Sequence, residues 1–270
     1  ERLLLEESGS ERAVVCAEGW FVNDQGGQFC RYLLRTHFYA GSSEVKVYFT
    51  FLITGDTAAS RFRDIGFVVP GSYQRLNIGG VNGEMTGRYL LQYEYDKYLV
   101  GDPAKPSVWR EQGDGEAAPG WLRGDDTLLY IEDFRENFPN ELEARPEALI
   151  YHFWAAHGVD KPERTVTDAN RQYLWYCHEG QLLDFQPPAT YWDIGDDYEK
   201  RYFREGRIES CLGVAKTAVL RIDFAAPETF PAVWHQPLTA LPDPKWVCAS
   251  TVLGPVHHYD PEKFPEIERY

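Results

Sequence analysis

The sequence predicts an all-β fold, a large antiparallel β-sandwich of the supersandwich kind. Three observations point there: long runs in which apolar and polar residues alternate, few helical periods, and a composition rich in aromatic residues. Alternation with period two puts successive side chains on opposite faces of a strand, so one face is buried while the other meets water. The chain holds 8 Trp, 17 Tyr and 15 Phe but a single Met, and large rings suit the space between stacked sheets. The same rings also suit flat sugar-binding faces, so composition leaves both uses open.

Taken in order, Arg2-Leu3-Leu4-Leu5 reads as a strand already under way, and a second strand is expected over 12–20. Across 28–39, Cys30, Tyr32, Leu34, Thr36 and Phe38 face one way, while Arg31, Leu33, Arg35, His37 and Tyr39 face the other. After a turn at Gly41-Ser42-Ser43, Val45, Val47, Phe49, Phe51 and Ile53 resume the apolar face. Two long strands around a short turn make a hairpin, whose apolar face needs a second sheet to cover it. Further strands are expected at 64–70, 73–79, 87–99, 127–134, 148–154 and 213–224.

Gly, Pro, Asp and Glu dominate 101–126, which reads as a long exposed loop. Residues 158–172 are polar, with a short helix or loop over 166–173, and 187–207 mix charge and aromatics irregularly, as an insertion would. From about residue 226, Pro227, Pro231, Pro237, Pro242, Pro244, Pro255 and Pro261 punctuate an extended linker. The expected organisation is therefore a sandwich over 1–235, followed over 236–270 by a linker and the start of an α-helical domain. Asp260 as cap and Pro261 at the first helical position mark that start. Both ends read as cuts within a longer chain.

A formal charge of −15 excludes nucleic acid as a partner, since phosphate binding needs a basic stripe. No apolar run reaches the 18 residues that a spanning helix requires, so no membrane contact is expected. The five cysteines, Cys16, Cys30, Cys177, Cys211 and Cys248, include no CxxC pair. Buried thiols are the expectation for several of them, and the sequence leaves one disulfide open. Nucleotide, phosphate and zinc-protease motifs are absent, and neither cofactor nor metal is expected.

Chemistry-bearing candidates are few. Glu132 and Asp133 are neighbours on a strand and so point to opposite faces, which prevents them from flanking one glycosidic bond. His152, in Tyr151-His152-Phe153-Trp154, and His178, in Trp175-Tyr176-Cys177-His178, each set an imidazole among aromatics. There it is either a hydrogen-bonded core residue or a proton-transfer group, and both are candidate catalytic residues. Arg31, Arg35 and His37 share a strand face that cradles a carboxylate-bearing sugar or lies in water. Lys216 is a lone cation in an apolar run, and a buried Lys needs a partner. With Trp154, Arg171 and Trp192, these make the substrate-binding set.

Several stretches carry a resemblance when taken together. They are Val15-Cys16-Ala17-Glu18-Gly19-Trp20, Arg35-Thr36-His37-Phe38-Tyr39-Ala40-Gly41, Phe51-Leu52-Ile53-Thr54-Gly55-Asp56, Phe134-Arg135-Glu136-Asn137-Phe138-Pro139, His178-Glu179-Gly180 and Gly213-Val214-Ala215-Lys216-Thr217. In this order, over roughly residues 1–235, the chain resembles the central β-sandwich domain of the exo-rhamnogalacturonan lyase family. Members of that group of polysaccharide lyases act on uronate polymers, with relatives on others such as ulvan.

The resemblance implies a three-part protein, with a barrel-like domain before the sandwich and an α-helical toroid after it. It implies secretion or a periplasmic location, an acidic polysaccharide as substrate, and β-elimination as the reaction. The sandwich is not expected to be active alone. Where relatives are expected to place an acidic or His-bearing stretch after the Ala-Lys-Thr element, this chain reads Ala218-Val219-Leu220, which weakens a role for Lys216. A non-catalytic sugar-binding or scaffolding sandwich, and an accessory sandwich of a glycoside hydrolase, are the alternatives.

Overall fold

The structure, a computed structural model, describes residues 1–55, 64–79, 81, 85–102, 110–112, 118–157, 213–225, 234, 241–257, 259–260 and 262–263. The chain divides into two compact units, Glu1–Thr229 and Phe230–Tyr270.

The first unit is built from strands β1 (Arg2–Ser8), β2 (Arg12–Val22), β3 (Gln28–Tyr39), β4 (Glu44–Ile53), β5 (Ile65–Pro70), β6 (Leu76–Ile78) and β7 (Arg88–Glu94). It continues with β8 (Lys97–Gly101), β9 (Arg110–Gln112), β10 (Trp121–Gly124), β11 (Thr127–Ile131), β12 (Asn140–Arg145), β13 (Ala148–Trp154) and β14 (Ala215–Asp223). Eight strands form one sheet in the order β1-β2-β3-β4-β14-β11-β10-β6, and six form another in the order β5-β13-β12-β7-β8-β9. The strand pairs in both sheets are antiparallel, which makes the fold the all-β antiparallel sandwich that the alternation predicts.

The β3–β4 hairpin pairs Phe38 with Val45 across a turn where Gly41 takes φ 70°, a left-handed conformation that glycine adopts without strain. Val47, Phe49, Phe51 and Ile53 of β4, with Ala218, Leu220 and Ile222 of β14, form one wall of the core. Leu142 and Ala144 of β12, with Leu149, Tyr151 and Phe153 of β13, form the other. Phe153 sits edge-on to Phe49 and Phe51, at 5.7 and 5.1 Å between ring centres, an arrangement that the ring quadrupoles favour.

Four readings need correction. The run at 87–99 is two strands, β7 and β8, folded back on each other, because the fully buried Gln92 amide donates to the Tyr95 and Lys97 carbonyls and holds the turn. The stretch 101–126 is not an exposed loop throughout: it contains β9 and β10, and Leu122 of β10 is fully buried. β12 lies in the middle of the six-stranded sheet, although its charged sequence gave no strand signal.

The expected extended linker, finally, contains helix α1 (Pro244–Ser250), capped by the Asp243 side chain accepting from the Lys245 amide at 2.8 Å. At Asp260 the carboxylate accepts from the Glu262 amide at 3.1 Å, and Pro261 and residues 264–270, where the helical start is expected, lie outside the described residues. Cys16, Cys30 and Cys248 are free thiols; Cys177 and Cys211 lie outside the described residues.

Candidate functional site

Because Leu142 and Ala144 of β12 face the core, Glu141 and Glu143 face away from it, on the outer side of the six-stranded sheet. Antiparallel pairing sets His152 of β13 opposite Glu141, with Glu143 diagonal to it. These three polar residues are nonetheless buried, with 0%, 2% and 5% exposure for Glu141, Glu143 and His152. His152 Nε2 lies 2.9 Å from Glu143 Oε2 and 3.7 Å from Glu141 Oε1. The Arg145 guanidinium grips Glu143 with both prongs, at 2.7 and 3.0 Å.

His157 closes the other flank. Its backbone N–H donates to Glu141 Oε2 at 3.0 Å, and its Nδ1 lies 2.8 Å from Oε1. Its ring stacks on Tyr89, with centres 3.8 Å apart and planes within 5°. Tyr89 reaches that position because Gly101 stands opposite it on β8, where a Cβ would come within 2.1 Å of the Tyr89 ring.

Burial pushes the Glu143 carboxyl upward, but hydrogen bonds and charge from His152 and Arg145 outweigh it and hold the group down at about 2. An ionised carboxylate only accepts, so the Nε2–H of His152 is the donor of the short contact. Burial disfavours the charged imidazole of His152, yet the Glu143 bond and the charges of Glu141, Glu143 and Asp64 raise its pKa. Burial also lifts the Tyr89 hydroxyl to about 12. The cluster is therefore a dry ion pair with attached hydrogen-bonding groups, able to orient an imidazole, pass a proton, or hold a cation between three donor atoms that lie within 4.8 Å of one another.

The other sequence candidates do not join it. Lys216 of β14 projects into the sandwich interior, where its ammonium donates to the Asn137 carbonyl at 3.2 Å and sits 4.7 Å from the centre of the Phe153 ring. Burial lowers its pKa to about 8. Phe153 and His152 are adjacent on β13 and point to opposite faces, so Lys216 and His152 lie on different sides of the six-stranded sheet. Trp154 follows an irregularity in the β13–β5 register and packs, half-buried, against the core.

Arg31, Arg35 and His37 line the outer face of the eight-stranded sheet. Arg35 forks onto Glu6 at 2.8 and 3.2 Å, and the rings of His37 and Tyr48 lie 5.1 Å apart. Burial, with Arg12 and Lys46 nearby, lowers the pKa of His37. Arg31 sits over Trp20 at 5.7 Å and helps line a cavity of about 210 Å³ with Glu18, Tyr32 and Thr50. Glu132 is held by Arg221 at 2.7 Å and Lys46 at 3.1 Å, which fits a charged strand corner. His178, Arg171 and Trp192 lie outside the described residues. Glu141 and Glu143 escaped the sequence reading, although Leu142 and Ala144 alternate with them in the period of a strand.

Among solved structures, the chain is similar to an aldose 1-epimerase of Escherichia coli K12, at 9% identity and TM-score 0.30, covering 83% of this chain and 68% of that one. It is also similar to a galactose mutarotase related enzyme of Lactobacillus acidophilus, at 8% identity and TM-score 0.30, covering 86% and 74%. No curated protein matches it. Residues 1–75, which carry β1 to β5, match the family model described as the PcRGLX-like protein central beta sandwich domain, and over that segment the chain is similar to that family.

Proposed function

We propose that this chain is the β-sandwich portion of a polysaccharide lyase that cleaves a uronate-containing polymer, rhamnogalacturonan-like or ulvan-like, by β-elimination. The sandwich supports and partly lines the cleft, between a barrel-like domain before it and an α-helical domain after it, outside the cell or in the periplasm. The observation that carries this reading is the family match of residues 1–75.

The chemistry asks for a cation or donor on the uronate carboxylate, so that the C5 proton becomes acidic, and for a base to remove it as the C4–O bond breaks. Lys216 fits the first role. Its ammonium rests on the Asn137 carbonyl and the Phe153 ring, and a uronate carboxylate that reached that end of β14 would add a countercharge. The base then comes from a neighbouring domain or from residues outside those described, because His152 lies across the sheet from Lys216.

The test incubates the chain together with its flanking domains with a panel of uronate polymers and follows the ultraviolet absorbance of the new C4–C5 double bond. Absorbance that grows with rhamnogalacturonan or ulvan, and falls sharply in Lys216→Met, is the expected result. Chain cleavage without a double bond would mean hydrolysis and would overturn the reading, as would inertness towards every polymer in the panel.

A further inference from the structure

We propose that Glu141, Glu143 and His152 form a binding site for one divalent transition-metal cation such as zinc, on the outer face of the six-stranded sheet. The site is independent of the lyase reading, which uses the opposite face of β13.

Geometry comes first. Metal–ligand distances of about 2.0–2.2 Å put tetrahedral donors about 3.3 Å apart. His152 Nε2 stands 2.9 Å from Glu143 Oε2 and 3.7 Å from Glu141 Oε1, on either side of that spacing. These two separations need to change by only a few tenths of an ångström, and all three donor atoms lie within 4.8 Å of one another.

Charge comes second. Two carboxylates are buried side by side, and the one guanidinium near them grips Glu143. Glu141, fully buried, meets only the His157 amide and two imidazoles among the described residues. A dication balances the pair without leaving a buried charge uncompensated.

The surrounding groups complete the case. His152 Nδ1 is buried without a hydrogen-bond partner among the described residues, and the Asp64 carboxylate stands 4.0 Å from it. A metal-bound histidine usually offers its second ring N–H to a carboxylate, and Asp64 is placed for that bond. Arg145 and His157 already orient the two glutamates.

One nitrogen and two carboxylates suit zinc or manganese better than calcium, which takes six or more oxygens. Three protein ligands leave one position for water. On binding, the cation takes the place of the proton between Nε2 and Glu143, and that proton leaves to solvent. Arg145 and Asp64, both half-exposed, mark the way in.

The experiment strips the full chain with chelator, dialyses it, and titrates it with zinc by calorimetry, with metal content checked after gel filtration. One equivalent is expected, with calcium and magnesium binding at least about tenfold more weakly. Glu143→Gln should abolish binding. Asp64→Asn, at an exposed position that spares the fold, should weaken it by about 10–100-fold while the circular dichroism stays unchanged. A folded chain that takes up no zinc overturns the site. So does zinc binding that is equally strong in the wild type, Glu143→Gln and Asp64→Asn, which would place the metal elsewhere.

Discussion

Replacing Lys216 with methionine should make the sandwich more stable near neutral pH. The lysine is charged there, yet burial has lowered its pKa from 10.5 to about 8. At about 1.36 kcal/mol per pK unit, keeping the ammonium charged in the folded chain costs about 3 kcal/mol. The Asn137 carbonyl bond and the Phe153 ring return part of this, about 1–2 kcal/mol together. Methionine fills the same unbranched volume and brings no charge, so the net gain should be about 1–2 kcal/mol.

The sign follows from proton counting. Between about 8 and 10.5 the unfolded chain holds a proton that the folded chain has released, so wild-type stability rises with pH through that window. The advantage of Lys216→Met should therefore shrink across it and largely vanish above its upper end. Urea unfolding followed by the far-ultraviolet circular dichroism of the strands, near neutral pH and again above that window, measures both quantities. A variant less stable than wild type at neutral pH, or a gain that does not change with pH, would refute the reasoning. If the flanked protein also loses eliminase activity while gaining stability, the lysine is retained for function at a cost to the fold.

Removing the imidazole in His152→Ala leaves Glu143 buried with Arg145 alone and should cost about 3–5 kcal/mol in urea unfolding. In the wild type, the part that comes from the depressed Glu143 carboxyl is present above its ordinary 4.5 and fades as pH falls toward about 2. The part from the raised His152 imidazole is complete below 6.5 and is lost as pH climbs through its folded value, so acid and alkaline unfolding midpoints should both move in the variant. Gly101→Ala drives a methyl into the Tyr89 ring and should destabilise by about 1–3 kcal/mol, shifting the His157 ring resonances in NMR as its stacking partner moves. Arg35→Ala breaks an exposed fork onto Glu6 and should change stability by less than about 1 kcal/mol, a difference that added salt reduces further.

The architecture was legible wherever burial alternates with exposure. β2, β4 and β14 alternate more and less buried positions, β13 is buried on both faces and shows instead as a run of apolar and aromatic residues, and these strands and β3 appear near their expected bounds. β12 was not legible, because glutamates are rare in strands and rarer in cores, so Asn140–Arg145 carries no strand signal. That omission hid the candidate site: His152 was visible as a titratable group among aromatics, whereas its partners Glu141 and Glu143 were not. The scattering of Arg31, Lys216 and His152 over three separate surfaces was likewise out of reach, because it follows from which sheet each strand joins and which way it faces.

Consecutive side chains on β13 belong to incompatible environments: Phe153 meets the rings of Phe49 and Phe51, while its neighbour meets two carboxylates. Sliding this strand by a single position would drive an imidazole among phenylalanines and a phenyl group among acids. Both exchanges are unfavourable, so the central pairings of this sheet admit one alignment. The costly ionic contact thereby also acts as a key that rejects mispaired strands during folding.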